Sequence, residues 1–152
     1  MTNHRLIALA TLGSITLLGG AYAFQHLGGL HPCKMCLWQR WPHAVAIAIG
    51  IIAMATGQHK LAWLGLFAAL ATSGIGLYHA GVEQLWWEGP NSCTSGSTVG
   101  MSVDDLLNKI LEAPIARCDE IAWELLGLSM AAWNAILSFI FALFWLKAAI
   151  KN

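Results

Sequence analysis

The sequence is short of charge, and over more than half of its length it has no negative charge. Of its 152 residues only 11% are Asp, Glu, Lys or Arg, whereas 57% are hydrophobic, and the mean hydropathy is +0.61. No acidic residue precedes Glu83. Soluble globular domains carry about 25% charged residues. The composition therefore excludes a soluble domain and indicates a membrane protein.

Long runs without charge predict the number of membrane spans. About 20 apolar residues cross a hydrocarbon core of about 30 Å as a helix. We expect an all-α membrane protein, a four-transmembrane-helix bundle that forms a single domain over residues 1–152. The predicted spans are residues 6–24, 37–57, 61–81 and 126–147, and residues 82–124 form a long loop. The second span carries Arg40, which we expect near the membrane interface because a charge at the bilayer centre is costly.

The distribution of charges predicts the orientation. Basic residues without acidic neighbours fall on one side of the predicted bundle, and cytoplasmic loops favour such residues: Arg5, Lys60, Lys147 and Lys151. All eight acids lie between Glu83 and Glu124 on the other side. Both termini are therefore expected in the cytoplasm, and all four cysteines outside it, where disulfides persist. The first span also has features of a signal peptide, with a cleavage motif at residues 21–23.

The long loop contains one amphipathic segment. Apolar residues recur there at helical spacing: Val103, Leu106, Leu107, Ile110 and Leu111. We expect a short interfacial helix lying on the membrane surface. Packing of this stripe against the outer loops of the bundle is the alternative.

Cys33 and Cys36 form a Cys-x-x-Cys pair, and Arg40 follows at helical spacing. In a helical turn the three side chains share one face, where a guanidinium stabilises a thiolate. A disulfide that closes four residues stabilises a fold by only roughly 2 kcal/mol in the loop-entropy formula. Redox chemistry explains this pair better than a structural role does.

The other two cysteines, Cys93 and Cys118, are far apart in the sequence. A bridge between them would contribute roughly 3 to 4 kcal/mol as a structural disulfide. The four cysteines are thus compatible with a thiol–disulfide relay, with two static bridges or with a four-thiolate zinc site. Zinc is disfavoured because its ligands usually come as two close pairs, and no metal is expected.

Few cofactor sites fit the sequence. Attachment of c-type haem is excluded because Leu37, not histidine, follows Cys36. Ligation of b-type haem by His26, His43 or His79 is less favoured, since interfacial histidines are usually solvated or hydrogen-bonded. No flavin or nicotinamide motif is present, so a lipid-soluble carrier is the natural electron acceptor.

Several motifs together resemble the bacterial DsbB family. The resemblance covers nearly the whole chain and is carried by Phe24-Gln25-His26, Pro32-Cys33-Lys34-Met35-Cys36, Gln39-Arg40, the loop cysteines Cys93 and Cys118, and Trp123 with Leu126-Gly127-Leu128.

This resemblance implies an inner-membrane oxidoreductase with its cysteines in the periplasm. Its client would be a DsbA-like thioredoxin-fold protein, and its cofactor ubiquinone or menaquinone. Cys93 would form the mixed disulfide with the client, Cys118 would be the loop partner of Cys93, and Cys33 would exchange with the loop pair. Cys36 would lie against the quinone, and Arg40 would contact it.

Two alternatives stay open at this point. One is a paralogous oxidase dedicated to another thioredoxin-like client. The other is a non-enzymatic membrane scaffold whose cysteines form static bridges.

Overall fold

The computed structural model describes residues 2–90, 102–104, 107–108 and 116–151. Four long helices make up most of this part: α1 (Asn3–His26), α2 (Lys34–Thr56), α3 (Ala62–Glu83) and α4 (Met130–Ile150). A 3-10 turn, His59–Leu61, joins α2 to α3. An antiparallel hairpin of β1 (Glu124–Leu125) and β2 (Leu128–Ser129) leads into α4. The predicted helical architecture is confirmed.

The helices form a closed bundle. Helices α1 and α3 each pack against both α2 and α4. The tight connection between α2 and α3 falls where the sequence predicts it, because Gly57 adopts a left-handed φ of 69° that ends α2 and only glycine does so without strain.

Three helical segments are long and apolar enough to cross a membrane: Asn3–His26, His59–Glu83 and Met130–Ile150. They correspond to the first, third and fourth predicted spans. Helix α2 has a similar length of 23 residues, but polar side chains interrupt its first half, among them Gln39, Arg40 and His43. Three helices thus have both the length and the apolar composition of a membrane span. Helix α2 has the length, but its first half is more polar.

The last helix begins later than its apolar run. The sequence predicts a helix from residue 126, whereas α4 begins at Met130. Leu126 and Gly127 have positive φ values of 55° and 75°, as the two central residues of a tight hairpin turn require. Ser129 then caps α4, its Oγ accepting the N–H of Ala132 at 3.2 Å. Hydropathy does not detect this hairpin.

The apolar core of the bundle depends on small residues that let helices approach closely. Trp145 of α4 is fully buried and packs over Gly65 of α3. A Cβ atom added at Gly65 would lie 2.5 Å from the Trp145 ring. The indole is held within the core, so it has no room to withdraw.

Gly65→Ala is therefore expected to destabilise the bundle by about 1 to 3 kcal/mol, the usual effect of overpacking. Thermal unfolding in detergent measures this effect. Gly74→Ala is the matched control because Gly74 lies in the same helix with nothing within 4 Å of its added Cβ, and alanine has the higher helix propensity. Equal stability of the two variants would contradict the packing described.

The lateral surface of the bundle is apolar. Large side chains on α1 and α3 are more than half exposed, including Leu12 at 58%, Phe67 at 64% and Leu77 at 59%. An apolar surface of this extent indicates contact with lipid.

The predicted interfacial helix is only partly described. Residues 103–104 and 107–108 are helical, and Val103 and Leu107 are exposed at 82% and 55%. The other three stripe residues, Leu106, Ile110 and Leu111, lie outside the described residues, as does Cys93.

Candidate active site

The Cys-x-x-Cys pair begins α2. Cys33 is the N-cap residue, and its Sγ accepts the N–H of Cys36 at 3.2 Å. The two Sγ atoms lie 2.8 Å apart, and both cysteines are free. The N-terminus of a helix stabilises a thiolate through its backbone N–H groups and its dipole. The pair is therefore well placed for reversible thiol–disulfide exchange.

One hydrogen bond sets the protonation of this pair, which precedes the predicted second span. The bond to Cys36 raises the pKa of the Cys33 thiol far above its ordinary value, and burial and the charge of Cys36 raise it further. The same hydrogen bond lowers the pKa of Cys36, although burial opposes this effect. In the reduced pair, this hydrogen bond favours a proton on Cys33 over one on Cys36.

A third cysteine reaches the pair from the long loop. Cys118 is fully buried in a small cluster with Cys33, Met35 and Val82. The Sγ atoms of Cys33 and Cys118 and a ring nitrogen of His79 all lie within 4.8 Å of one another. The structure thus brings together three of the four predicted site cysteines. A disulfide between Cys118 and Cys33 needs only a short movement.

The sulfur geometry does not suit the four-thiolate zinc site. Thiolates that bind one tetrahedral Zn²⁺ at about 2.3 Å are about 3.8 Å from each other, whereas the sulfurs of Cys33 and Cys36 are 2.8 Å apart. The two cannot share a tetrahedral ion without moving apart.

His79 lies beside the sulfurs, on α3. Its Nε2 is 3.5 Å from Cys33 Sγ, and its Nδ1 is 3.0 Å from Gln39 Nε2. The carboxylate of Glu83, one turn further along α3, is 3.8 Å from His79 Nε2. The sequence identified His79 only as a less favoured haem ligand. The contacts of His79 with Cys33 and Gln39 were missed because α2 and α3 meet only in the folded bundle.

Arg40 is held mainly by α1. Its Nη1 donates to Gln25 Oε1 at 2.6 Å, its Nη2 donates to the carbonyl of Ala21 at 3.4 Å, and the guanidinium lies 4.6 Å from the centre of the Tyr22 ring. The sequence predicts that Arg40 stabilises a thiolate, and in the structure the charge of Arg40 contributes a small part of the lowering of the Cys36 pKa. Within the described part of the chain, no group accepts a hydrogen bond from its buried Nε.

A cavity of about 630 Å³ adjoins these groups. Side chains from α1, α2 and α4 line it, and most are apolar, for example Leu17, Trp133 and Leu137. Cys36 and Arg40 also line it. Ligand sites of this size are usually apolar with a few polar groups that fix orientation.

Two residues of the resembling motifs meet at the rim of this cavity. Phe24 of α1 and Trp123 before β1 have ring centroids 5.0 Å apart, and both line the cavity. This contact holds the segment that carries Cys118 against α1. Gln25, the neighbour of Phe24, positions Arg40, a role that the sequence alone did not reveal.

Comparison with known proteins agrees with this geometry. The family described as disulfide bond formation protein DsbB matches residues 3–148. The chain belongs to the DsbB family. It is therefore a membrane thiol–disulfide oxidoreductase that acts in disulfide bond formation, and the DsbB resemblance of the sequence is confirmed.

Named relatives are similar over most of their length. Disulfide bond formation protein B 2 of Pseudomonas aeruginosa is 30% identical, covering 97% of this chain and 90% of the relative. Disulfide bond formation protein B of a Polaromonas species is 32% identical, covering 86% and 81%. An uncharacterised protein of Rickettsia prowazekii is 27% identical, covering 86% and 78%. No solved structure matches the chain.

Proposed function

We propose that this DsbB-family protein reoxidises a DsbA-like periplasmic dithiol oxidase and passes the two electrons to a membrane quinone. The supporting observation is that Cys36 both belongs to the cluster of three cysteines and lines the apolar cavity. Electrons that reach the Cys-x-x-Cys pair can therefore pass from Cys36 to a lipid-soluble acceptor in the cavity.

In this proposal α2 also crosses the membrane, which brings the number of spans from three to four. Arg40 would be costly in lipid, but its guanidinium faces Gln25 and the carbonyl of Ala21 inside the bundle. His43 likewise pairs with Asn134 of α4 at 2.9 Å. The protein then crosses the inner membrane four times, with both termini in the cytoplasm and the cysteines in the periplasm.

The electron route begins at the loop. A client thiolate attacks Cys93, and Cys118 leaves as a thiolate. Cys118 then attacks Cys33 Sγ, so that the Cys118–Cys33 bond forms, the Cys33–Cys36 bond breaks and the electron pair stays on Cys36. The short separation of Cys118 and Cys33 supports this order.

The cavity residues fit a quinone. A quinone headgroup has an apolar ring and carbonyl oxygens that accept hydrogen bonds. Arg40 Nε is a buried donor that bonds to none of the residues the structure describes, and the apolar walls suit the ring and its tail. Arg40 and Cys36 would hold ubiquinone or menaquinone, which when bound accepts two electrons and two protons.

Identification of the bound carrier tests this proposal. The protein is purified from its native membrane, extracted with organic solvent and analysed by mass spectrometry for quinones. We expect about one ubiquinone or menaquinone per protein, and much less in Arg40→Gln. Purified wild type without quinone, and with no reduction of added quinone, would refute the proposed acceptor.

The exposed stripe residue Leu107 supplies a further prediction. If the stripe holds the loop at the membrane surface, Leu107→Asp should slow electron flow from client to quinone severalfold, because a buried charge opposes membrane contact. The mixed disulfide with the client should still form. Steady-state client oxidation in liposomes measures the rate. Asn108→Asp adds the same charge at the neighbouring exposed position, and equal rates in the two variants would argue against this role.

A further inference from the structure

Three metal-binding side chains meet where the long loop contacts the bundle. Cys33 begins α2, His79 lies on α3 and Cys118 precedes β1, and their ligand atoms all lie within 4.8 Å of one another. All three residues are buried, at 4%, 3% and 0% exposure. Thiolate and imidazole are the usual protein ligands of Zn²⁺. Folding therefore assembles a zinc-type set of ligands from three separate segments.

The separations are close to those of a tetrahedral zinc site. Zn–S and Zn–N bonds of about 2.3 and 2.1 Å put a sulfur and a nitrogen ligand about 3.6 Å apart, and Cys33 Sγ is 3.5 Å from His79 Nε2. Two sulfur ligands lie about 3.8 Å apart, so Cys118 Sγ needs to approach Cys33 Sγ by about 1 Å or less. This set leaves out Cys36, whose sulfur is too close to that of Cys33 for a shared ion.

A carboxylate lies beside these three ligands. The side chain of Glu83 is only 6% exposed, and its Oε1 is 3.8 Å from His79 Nε2. Its Oε2 is buried and bonds to no group of the described residues. A buried carboxylate with an unused acceptor is costly unless a donor or a cation meets it. Glu83 or a water molecule would complete the four ligands that Zn²⁺ prefers.

Gln39 supports His79 as a metal ligand. A histidine that binds zinc through one ring nitrogen donates the N–H of the other to an oxygen. His79 Nδ1 lies 3.0 Å from the side-chain amide of Gln39, and half a turn of that amide presents its oxygen to an Nδ1–H. Asn134 turns with it, so that its oxygen accepts from Gln39 and Thr72 and its nitrogen donates to His43. Every polar group of this network then keeps a partner.

We propose that Cys33, His79 and Cys118 bind one Zn²⁺ in the reduced protein, and that the bound ion inhibits electron transfer. Both cysteines lose their protons when the ion binds, because the thiolate is the ligand. A disulfide at either sulfur removes a ligand, so the oxidised protein lacks the site. Zn²⁺ takes no electrons but occupies the two sulfurs that the proposed route joins. The inhibition, though not the site, rests on the proposed function.

Zinc titration of the reduced protein tests the site without client or quinone. The full-length protein is reduced in detergent, stripped of quinone and freed of reductant, and Zn²⁺ is titrated in competition with a chromogenic chelator. We expect one Zn²⁺ per reduced protein and none after oxidation to disulfides. Brief alkylation with iodoacetamide and peptide mapping then show which sulfurs the ion occupies. Zn²⁺ should slow alkylation of Cys33 and Cys118, and leave Cys36 and Cys93 as reactive as before.

Single variants identify the ligands. Cys118→Ser and His79→Phe should each raise the Kd for Zn²⁺ more than about 100-fold, since loss of a partner that only orients a ligand already costs about 10- to 100-fold. Gln39→Met keeps the imidazole but removes the partner of Nδ1, and should raise the Kd about tenfold. Cys36→Ser and Cys93→Ser remove thiols outside the site and should leave the Kd unchanged.

His43→Phe is the matched control for loss of a buried imidazole. His43 is also 3% exposed, but it pairs with Asn134 and not with a sulfur, so this variant should bind Zn²⁺ as wild type does. Reduced wild type that binds no Zn²⁺, or an ion that protects Cys33 and Cys36 but not Cys118, would overturn the site. An equal loss of affinity in His43→Phe and His79→Phe would also overturn it.

The inhibition is measured in a variant that keeps only two cysteines, Cys33 and Cys118. With Cys36→Ser and Cys93→Ser combined, diamide takes two electrons and two protons from the remaining thiols and leaves their disulfide. Zn²⁺ at about ten times its Kd should slow this reaction about tenfold, because only the metal-free protein reacts, and EDTA should restore the rate. An unchanged rate would refute the inhibition even where Zn²⁺ binds. Neither result depends on whether a quinone accepts the electrons.

Discussion

Cys118→Ser is expected to accumulate a covalent complex between Cys93 and its client and to lose nearly all turnover. Client attack on Cys93 normally releases Cys118, which lies buried beside Cys33 and carries the electrons onward. Serine cannot form the Cys118–Cys33 disulfide, so the electrons stop at the loop. The client in this test retains one active-site cysteine and is supplied as a mixed disulfide with a small thiol, so that the Cys93 thiolate displaces that thiol and no second client thiol can resolve the adduct.

Non-reducing electrophoresis with peptide mapping measures the trapped complex. Cys36→Ser is the informative control, because its Cys33 thiolate can attack Cys118 in the loop disulfide, which forms the Cys118–Cys33 bridge, releases Cys93 as a thiolate and leaves no route to the carrier. A client adduct of Cys118→Ser that maps mainly to Cys33 or Cys36 would overturn the proposed order of transfer.

Arg40→Gln is expected to raise the KM for quinone about tenfold or more while thiol exchange among the cysteines continues. The variant removes the buried Nε donor, which pairs with no group of the described residues, from a side chain that lines the cavity, and it removes a charge that lowers the pKa of Cys36. A hydrogen bond from a charged donor contributes about 1.5 to 3 kcal/mol, and 1.4 kcal/mol corresponds to a factor of ten. Arg40→Lys should not restore quinone use, because lysine lacks the planar arrangement of donors.

Gln25→Leu tests the effect of the position of Arg40 separately from the effect of its guanidinium. It removes the partner of Nη1 but keeps the guanidinium, so we expect a smaller rise in KM, of about threefold. Quinone reduction at varied quinone concentration gives KM, and formation of the Cys118–Cys33 bridge reports thiol exchange. Wild-type quinone KM and turnover in Arg40→Gln would defeat the assignment of Arg40 to the carrier site.

Much of the architecture could be predicted from patterns that are local in the sequence. Charge-free runs predict the helices, and the short interval between the predicted spans 37–57 and 61–81 predicts the tight connection between α2 and α3, where Gly57 ends α2. The start of α4 was missed because Leu126 is apolar, and hydropathy does not register its positive φ. Helix α2 remains harder to assign because Arg40 and its polar neighbours are satisfied only by partners on other helices.

The residues of the candidate site could be predicted only in part. Cysteine chemistry is restricted to few residue types, so Cys33, Cys36 and Cys118 could be identified from the sequence, and the structure brings them together. Polar residues such as Gln25, His79 and Asn134 have many possible roles in a sequence. Their contacts become visible only when folding places Gln25 on Arg40, His79 beside Cys33, and Asn134 on His43 and Gln39.

An anaerobic electron count tests the central claim most directly. Reduced DsbA-like client is mixed with the protein in liposomes that contain a known amount of ubiquinone, and client disulfide and quinol are measured together. The proposed route predicts one quinol for each client disulfide in wild type and none in Cys36→Ser. Client oxidation without quinol, or quinol formation that persists in Cys36→Ser, would contradict it.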